Sequence, residues 1–555
     1  MCLHLWPQLH KLAGDLLACY PLLTPGFHRL QFRTRRISLT LMLGDPLSCY
    51  RQLLVCGDNT LEQQLRNYHV DAWFLNDLAP TNNPALWHKG LLATLGLLSK
   101  KTTTLTTLTT AKQLTNELQA AGFQVSKKCA AAGLPDFTYA TFDQSSPIYS
   151  IRQTPWHIYP VRKIKTRQAI IVGAGLAGCY TAHVLAERGW SVTVLDAGSH
   201  AGCGASANRQ AVLYPQLSAY HSPLTEFMLS AFLFAVGEYK KILHQQPQLG
   251  ELSGIVQLAY NEKEQVAQAG LQSWLAHYPQ LARLVDQNQA STLAGIALSA
   301  SGLYIPDSGW FDAQALCQFL LKHPAIEWRA NTHVSALSYH NERWHVDKYT
   351  AEVVVIANGY QAGQFAQTSH LPLKAIRGQM TTISSNHPSS YLQIPVCADA
   401  YILPAQQGTH TIGATYHSVN TDAYAYGQDD AENLAKLSQL SANTVWSMEI
   451  VSNWVGIRAA TPDYLPLVGP VADADSFRQQ FAGLASNSKR WIPLPGVFYP
   501  GLYICAGFGS RGLTSIPLSV EWLAALINNE PGFLPTKLVQ AISPARFLRK
   551  EIVKR

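Results

Sequence analysis

The segment Gln168 to Ala197, QAIIVGAGLAGCYTAHVLAERGWSVTVLDA, constrains the fold more than any other stretch of the chain. It opens with an apolar run, Ala169 to Val172, that reads as a buried strand. Gly173, Gly175 and Gly178 form a GxGxxG, and a helical stretch follows through Arg188. Gly189 stops that helix, and a second strand, Ser191 to Leu195, ends at Asp196. Each glycine has a physical job: Gly173 permits the tight turn, Gly175 lets the backbone approach a pyrophosphate, and Gly178 lets helix and strand pack closely. The helix start offers unpaired N–H groups and a favourable dipole to phosphate. Asp196, 18 residues after Gly178, is placed to accept hydrogen bonds from an adenosine ribose and disfavours a 2′-phosphate. These features define a Rossmann-like site for NAD or FAD, and the local pattern alone does not choose between them.

Two later segments choose FAD. Glu352 to Gly359, EVVVIANG, is a buried strand ending in a small-residue turn, which belongs beside a bound dinucleotide. Gly501 to Thr514, GLYICAGFGSRGLT, is a strand, then a turn containing Gly507, Gly509, Ser510 and Gly512, then a helix from Ser515 to Ile527. A second glycine-rich helix start brings backbone N–H groups to a flavin ring edge, where negative charge develops on reduction.

At 555 residues the chain exceeds one hydrophobic core, and 47% hydrophobic against 14% charged residues excludes bulk disorder. No stretch approaches the roughly 20 apolar residues of a membrane helix. The amino terminus, broken by His4, His10, Lys11 and Asp15, reads as an amphipathic helix rather than a signal peptide. Ten scattered cysteines without a CxxC pair argue against disulfides or zinc and for a reducing cytoplasm. The histidines show no metal-ligand spacing; His333, His340 and His345 fall in an expected surface hairpin. The Thr-rich tract Lys100 to Ala111 alternates with Leu105 and Leu108 as a strand does. A boundary is expected near residue 155, which gives an amino-terminal domain (1–150), a basic linker (151–167) and an FAD domain (168–555). Within the last, FAD-binding parts are expected at about 168–220, 350–375 and 455–540, and a substrate subdomain at about 221–349 and 376–454. The formal charge of +7 permits a polyanionic partner without establishing one. Arg162, Lys163, Lys165 and Arg167 at the junction, with the tail Arg546 to Arg555 (local +4), are the candidate phosphate-tracking surface. A solvated tail is the plainer alternative.

The run GCGASANRQAVLYPQLS, Gly202 to Ser218, resembles the flavin-contacting segment of D-amino-acid-oxidase-like enzymes, and more closely the oxidoreductase domain of the MnmC family. Further matches are IRGQM (Ile376 to Met380), YILP (Tyr401 to Pro404), GATY (Gly413 to Tyr416), VGIRAATPDYLPLVG (Val455 to Gly469) and GSRGLTSIPLSVEWLAA (Gly509 to Ala525). The amino-terminal part resembles that family's methyltransferase domain at LMLGD (Leu41 to Asp45), VDAWFLNDLAPTNNPALW (Val70 to Trp87) and LQAAGF (Leu118 to Phe123). Three departures set it apart from the family. No equivalent of the first strand and glycine-rich S-adenosylmethionine loop occurs in residues 1–40, DGFAP becomes Asn76-Asp77-Leu78-Ala79-Pro80, and a basic segment is replaced by CAAAGLPDF, Cys129 to Phe137. The expected architecture is therefore α/β: a Rossmann-like FAD domain with a mixed-sheet substrate subdomain of glycine-oxidase type, preceded by a partial class I methyltransferase-like domain.

The resemblance implies a tRNA substrate whose wobble uridine carries CH2–NH–CH2–COO⁻, oxidised with FAD to the primary aminomethyl uridine. The three departures imply that methylation by S-adenosylmethionine is lost in this chain. Arg458, in GIRAATPD, matches the arginine with which glycine-oxidase-like relatives grip a carboxylate, a task suited to a planar, permanently charged fork. A structural ion pair with Asp463 is the alternative. Tyr401 is a second candidate through its phenolic O–H, or else a core tyrosine. Ser206, Asn208, Arg209 and Gln210 are expected at the flavin or its entrance, and Arg377 and Arg511 at the flavin, the RNA backbone or solvent. The competing readings are a glycine- or sarcosine-type amine oxidase and a non-catalytic tRNA-binding protein.

Overall fold

The computed structural model describes residues 10–32, 37–66, 69–75, 89–108, 112–128, 136–143, 152–418, 421–441 and 444–554. The GxGxxG segment forms the expected unit: strand Gln168–Val172, helix Leu176–Ala186 and strand Ser191–Leu195, the two strands parallel with Val172 opposite Leu195. Val353–Ile356 and Phe498–Ala506 extend this sheet in parallel on the other side. Ile326–Arg329 closes one edge in parallel and Leu467–Ala472 the other antiparallel. The central strands are continuous apolar runs because both faces are covered. Ile171, Val353, Val355 and Cys505 pack with helices Leu176–Ala186, Pro223–Gln245 and Gly512–Ile527. Their alternates Ile170, Val172, Val354, Ile356 and Ile504 pack with Trp344, Val346 and Phe365. Trp344 and Val346 lie in a three-stranded antiparallel sheet, Ser338–His340, Arg343–Val346 and Tyr349–Ala351. Residues 326–349, expected in the substrate half, thus pack with the dinucleotide half.

The second large sheet has eight strands, in the order Arg283–Val285, Gly302–Ile305, Ile255–Leu258, Val396–Cys397, Tyr401–Ile402, Thr409–Gly413, Lys374–Ser384 and Ile450–Ala460. Its longest pair, Lys374–Ser384 with Ile450–Ala460, is antiparallel, with Ile376 opposite Arg458 and Gly378 opposite Gly456. Residues 455–460, expected in the dinucleotide half, run in this sheet.

The amino-terminal part holds a four-stranded sheet, Val70–Leu75, Ser99–Thr107, Phe137–Phe142 and Phe123–Lys128 in that order. The Thr-rich tract as far as Thr107 is its second strand and buries Thr103, Leu105 and Thr107 in alternation. Asp45 caps helix Pro46–Arg51 by accepting from the Ser48 amide at 2.8 Å. Residues 76–80 and 129–135, where two of the family departures fall, lie outside the described residues. The hairpin Gly26–Phe32 with Ile37–Leu43 stands apart from that sheet and docks on the flavin half. Arg29 reaches Glu521 at 3.7 Å and Glu530 at 3.5 Å, and Arg188 meets the same carboxylates at 2.7 and 2.6 Å. Such a buried ionic cluster adds little net stability, but it fixes one docking geometry because a displaced charge would be left desolvated.

The junction is not a free linker. Trp156 is buried with Phe477, Phe481 and Leu548, and the Tyr159 hydroxyl accepts from the Gly501 amide at 2.8 Å. Part of the basic charge at junction and tail is engaged within the protein. Arg162 donates to the carbonyl oxygens of Glu352 and Glu342, and Arg167 to that of Arg188. The tail is a helix, Arg546–Lys554, whose Arg546 is buried and whose Arg546 and Lys550 both pair with Asp463, at 2.8 and 2.7 Å. Arg549 stacks on Trp156 at 5.6 Å. Arg162, Arg546 and Arg549 are thus engaged within the protein, whereas Lys163, Lys165, Arg167, Lys550 and Lys554 are exposed and stay candidates for phosphate contact. Among the described residues, no helix is long and apolar enough to cross a membrane, and the cysteines are free.

Candidate functional site

A cavity of about 560 Å³ runs between the two large sheets, lined at one end by Gly173, Gly175 and Asp196 and at the other by Tyr401, Trp454 and Arg458. That size suits a cofactor-scale ligand. At the dinucleotide end, Gly173 has φ +108°, and a β-carbon there would sit 2.7 Å from the Ala357 and Asn358 backbone. A β-carbon on Gly178 would meet the Gly173 carbonyl oxygen at 1.8 Å. These glycines are required by close backbone approach, as the strand–turn–helix reading expects. Helix Leu176–Ala186 has no cap from its own Gly175; the Ser206 hydroxyl accepts from the Leu176 amide at 2.9 Å instead. Asp196 lines the cavity and ties its loops together, accepting from the amides of Ala174 at 2.6 Å and Gly198 at 2.7 Å. Each carboxylate oxygen retains acceptor capacity for a ribose hydroxyl.

The second glycine-rich turn closes the cavity from the opposite side. Gly507 and Gly509 have φ +81° and +55°, and Gly507, Gly509, Ser510 and Gly512 all line the cavity. The Gly509 amide donates to the Ala459 carbonyl oxygen at 2.7 Å, which anchors this turn to the residue after Arg458. Asn358, which the sequence reading did not single out, lines the same space, and its buried Oδ1 has no partner. An acceptor left open in a cavity with glycine cradles at both ends fits a bound FAD, whose ribityl and ring groups include donors.

Arg458 is a wall of the substrate end. Among the described residues no carboxylate pairs with it, and Asp463 is engaged by Arg546 and Lys550, so the structural ion pair weighed in the sequence is not formed. Its guanidinium lies over Gly378, where a β-carbon would come within 2.3 Å of Nη1. Gly378 sits in the quoted IRGQM run, but only cross-strand pairing shows that its missing side chain makes room for Arg458. The Tyr401 hydroxyl donates to Met380 Sδ at 3.2 Å. Burial pushes its pKa up to about 12, against a smaller opposing effect of Arg458 and Asn208. Tyr401 therefore stays a neutral donor at physiological pH.

The other expected residues divide. Asn208 lines the cavity, and its Oδ1 accepts from the Gln210 amide at 2.9 Å. Gln210 itself is buried behind the wall, donating to the Pro404 carbonyl oxygen at 3.3 Å and accepting from Thr411 at 2.7 Å. Arg209 is exposed. Arg377 faces neither flavin, RNA nor solvent: it is buried, pairs with Asp429 and stacks on Tyr426 at 4.8 Å. Arg511 stacks on Tyr214, a cavity residue, at 4.8 Å. Of the three histidines, His340 and His345 lie in the hairpin, and His333 lines the cavity.

A cavity gripping both ends of a dinucleotide, with an unpaired guanidinium at its far end, defines an FAD-dependent oxidoreductase of the D-amino-acid-oxidase class. The family of FAD dependent oxidoreductases matches residues 168–526, and that of S-adenosyl-L-methionine-dependent methyltransferases matches residues 7–141. Among solved structures, glycine oxidase from Geobacillus kaustophilus shares the fold at TM-score 0.56 and 22% identity, over 69% of this chain and 99% of its own. L-proline dehydrogenase from P. horikoshii does so at TM-score 0.54 and 18% identity, over 70% of this chain and 99% of its own. The tRNA 5-methylaminomethyl-2-thiouridine biosynthesis bifunctional protein MnmC of Legionella pneumophila (strain Philadelphia 1) is 48% identical over all of this chain and 83% of its own length. Its counterpart in Stutzerimonas stutzeri is 36% identical with the same coverage. The chain belongs to the MnmC family.

Proposed function

We propose that the chain oxidises the carboxymethylaminomethyl group of a tRNA wobble uridine, with or without 2-thiolation, to the aminomethyl group. The observation that carries this is the unpaired Arg458 guanidinium at the end of a dinucleotide-sized cavity. Its planar fork pairs bidentately with the glycine-derived carboxylate of the substrate and fixes the adjacent methylene carbon in the cavity. FAD, when bound, supplies the two-electron acceptor for that C–H bond. In overall balance, the substrate methylene loses a hydride and the amine a proton, and water then replaces nitrogen on that carbon. Glyoxylate leaves, and a primary amine stays on the uridine. The chain's own groups bind and aim rather than exchange protons: Tyr401 holds its proton, and Trp454 and Ile457 line the cavity beside Arg458. Asp196 would hold the ribose, Gly175 and the helix start the pyrophosphate, and the Gly507–Gly512 turn the ring edge.

We also infer that the amino-terminal part adds no methyl group to this product. The support is chemical: Asn76 stands where the family motif carries an acidic residue at the strand end. S-adenosylmethionine is then not a cofactor of this chain. The reaction places the protein in the cytoplasm with its tRNA, without a metal. Nucleoside mass spectrometry after incubation with carboxymethylaminomethyluridine tRNA, with and without S-adenosylmethionine, tests both statements. Aminomethyluridine in both reactions is expected. Methylaminomethyluridine in the second would overturn the inference on methyl transfer. An unchanged tRNA, beside rapid oxidation of free glycine, would replace the main reading with a small-molecule amine oxidase.

A further inference from the structure

Exposed aromatic rings lie at Tyr416, a wall of the substrate end, and a few residues further along the chain. Tyr416 both lines the cavity and is 57% exposed, and Tyr424 and Tyr426 are 76% and 41% exposed. Single exposed apolar side chains need no explanation, but several on one segment beside a site mark a contact surface.

The backbone beside Tyr416 and at Tyr424 to Tyr426 is held from beneath. His417 and Arg377 exchange backbone hydrogen bonds at 2.8 and 2.9 Å, which fixes the chain next to Tyr416. The buried Arg377 guanidinium donates to the Tyr424 carbonyl oxygen, to Asp429, and to Gln379 Oε1 at 3.1 Å. Gln379 in turn accepts from the Tyr426 amide at 2.8 Å and donates to the Tyr426 carbonyl oxygen at 2.9 Å. Asp430 accepts from Gln379 and Thr381 at 2.8 and 2.6 Å, and Asp422 from the Tyr426 hydroxyl at 2.6 Å. One face of the Tyr426 ring is taken by Arg377. Among the described residues, the rings of Tyr416 and Tyr424 have no ring or cation partner. A buried ionic network of this kind adds little net stability and serves to specify geometry, here that of the loop above it.

We propose that Tyr416 and Tyr424 form a stacking platform for the unpaired nucleobases that flank the modified uridine. This rests on the tRNA reading above and adds the surface that would hold the anticodon loop. A base drawn into the cavity leaves its neighbours at the mouth, where Tyr416 is at once wall and rim. Single-stranded RNA is held by aromatic faces that every base can stack on. Stacking at the rim adds base contacts that phosphate contacts by the exposed junction and tail lysines do not supply.

Fluorescence anisotropy of a labelled anticodon stem-loop with an unmodified wobble uridine tests the platform without turnover. The flavin-loaded wild type is compared with Tyr416→Ala, Tyr424→Ala and the two Tyr→Phe variants, and flavin absorbance checks folding. About tenfold weaker binding for each Ala variant, with Phe within about twofold of wild type, is the expected result. Equal loss in Ala and Phe variants would assign the contact to the hydroxyls and overturn stacking. Unchanged affinity, absent wild-type binding, or a change in self-association alone would overturn the platform as well. Because no oxidation is read, RNA binding that depends on the rings upholds the platform even if the oxidation reading fails.

Discussion

The guanidinium of Arg458 rests on Gly378 of the neighbouring strand, diagonally across the antiparallel pair in which Arg458 faces Ile376. A β-carbon at Gly378 would sit 2.3 Å from Nη1 and 2.8 Å from both Cζ and the Thr415 carbonyl oxygen. The arginine tip is the more movable neighbour, so Gly378→Ala is expected to displace the clamp while the flavin stays bound. Steady-state kinetics should show KM for the modified tRNA raised about tenfold or more, as in Arg458→Leu. An unchanged KM in both variants would remove Arg458 from the carboxylate site.

Gly178 faces the Gly173 carbonyl oxygen with no room for a side chain. Gly178→Ala must separate helix from strand and deform the pyrophosphate turn. The purified variant should lose most of its flavin absorbance. Full flavin occupancy would show that the dinucleotide lies elsewhere.

Tyr401, its pKa raised to about 12 by burial, is expected to contribute no titration to the rate profile between pH 7 and 10. Tyr401→Phe should leave the shape of that profile unchanged and lower kcat/KM by roughly tenfold or less, the worth of one hydrogen bond. Disappearance of a limb in that range on substitution would make Tyr401 an acid or base instead.

Asp463 gives the fold a pH dependence. Burial opposes its charge, but hydrogen bonds and attraction from Arg546 and Lys550 outweigh this and hold its pKa down to about 2. A depressed folded pKa stabilises above the unfolded value, near 4, and that stability is lost as pH falls toward about 2. Asp463→Asn should therefore lower Tm at pH 7, by roughly 2 kcal/mol in stability, and narrow its gap from wild type below pH 3. A gap that is constant with pH would rule out this linkage.

What the sequence made legible was what one continuous stretch specifies. Residues 168–197 carry strand, turn, helix and acid in fixed spacing, and the structure reproduces each within a few residues. The direction of a polar side chain on a strand is set across strands, with a period of two. Arg377 and Gly378 are adjacent, yet one opens space for Arg458 and the other is buried against Asp429. Gln210 likewise reads as a flavin contact until its partners Pro404 and Thr411 are brought beside it. Arg546 and Lys550 looked free because Asp463, which pairs with both, lies 83 residues before Arg546. No local pattern joins Arg29 to Glu521, although that pair docks the amino-terminal hairpin on the flavin half.

The most direct test is a single incubation of the flavin-loaded protein with tRNA carrying carboxymethylaminomethyluridine, followed by mass spectrometry of the nucleosides and assay of glyoxylate. Aminomethyluridine and glyoxylate in equal amounts, both sharply reduced at substrate concentrations below KM in Arg458→Leu with its flavin retained, are the expected result. Unchanged tRNA from the wild-type holoenzyme would contradict the assignment of this cavity to wobble-uridine oxidation.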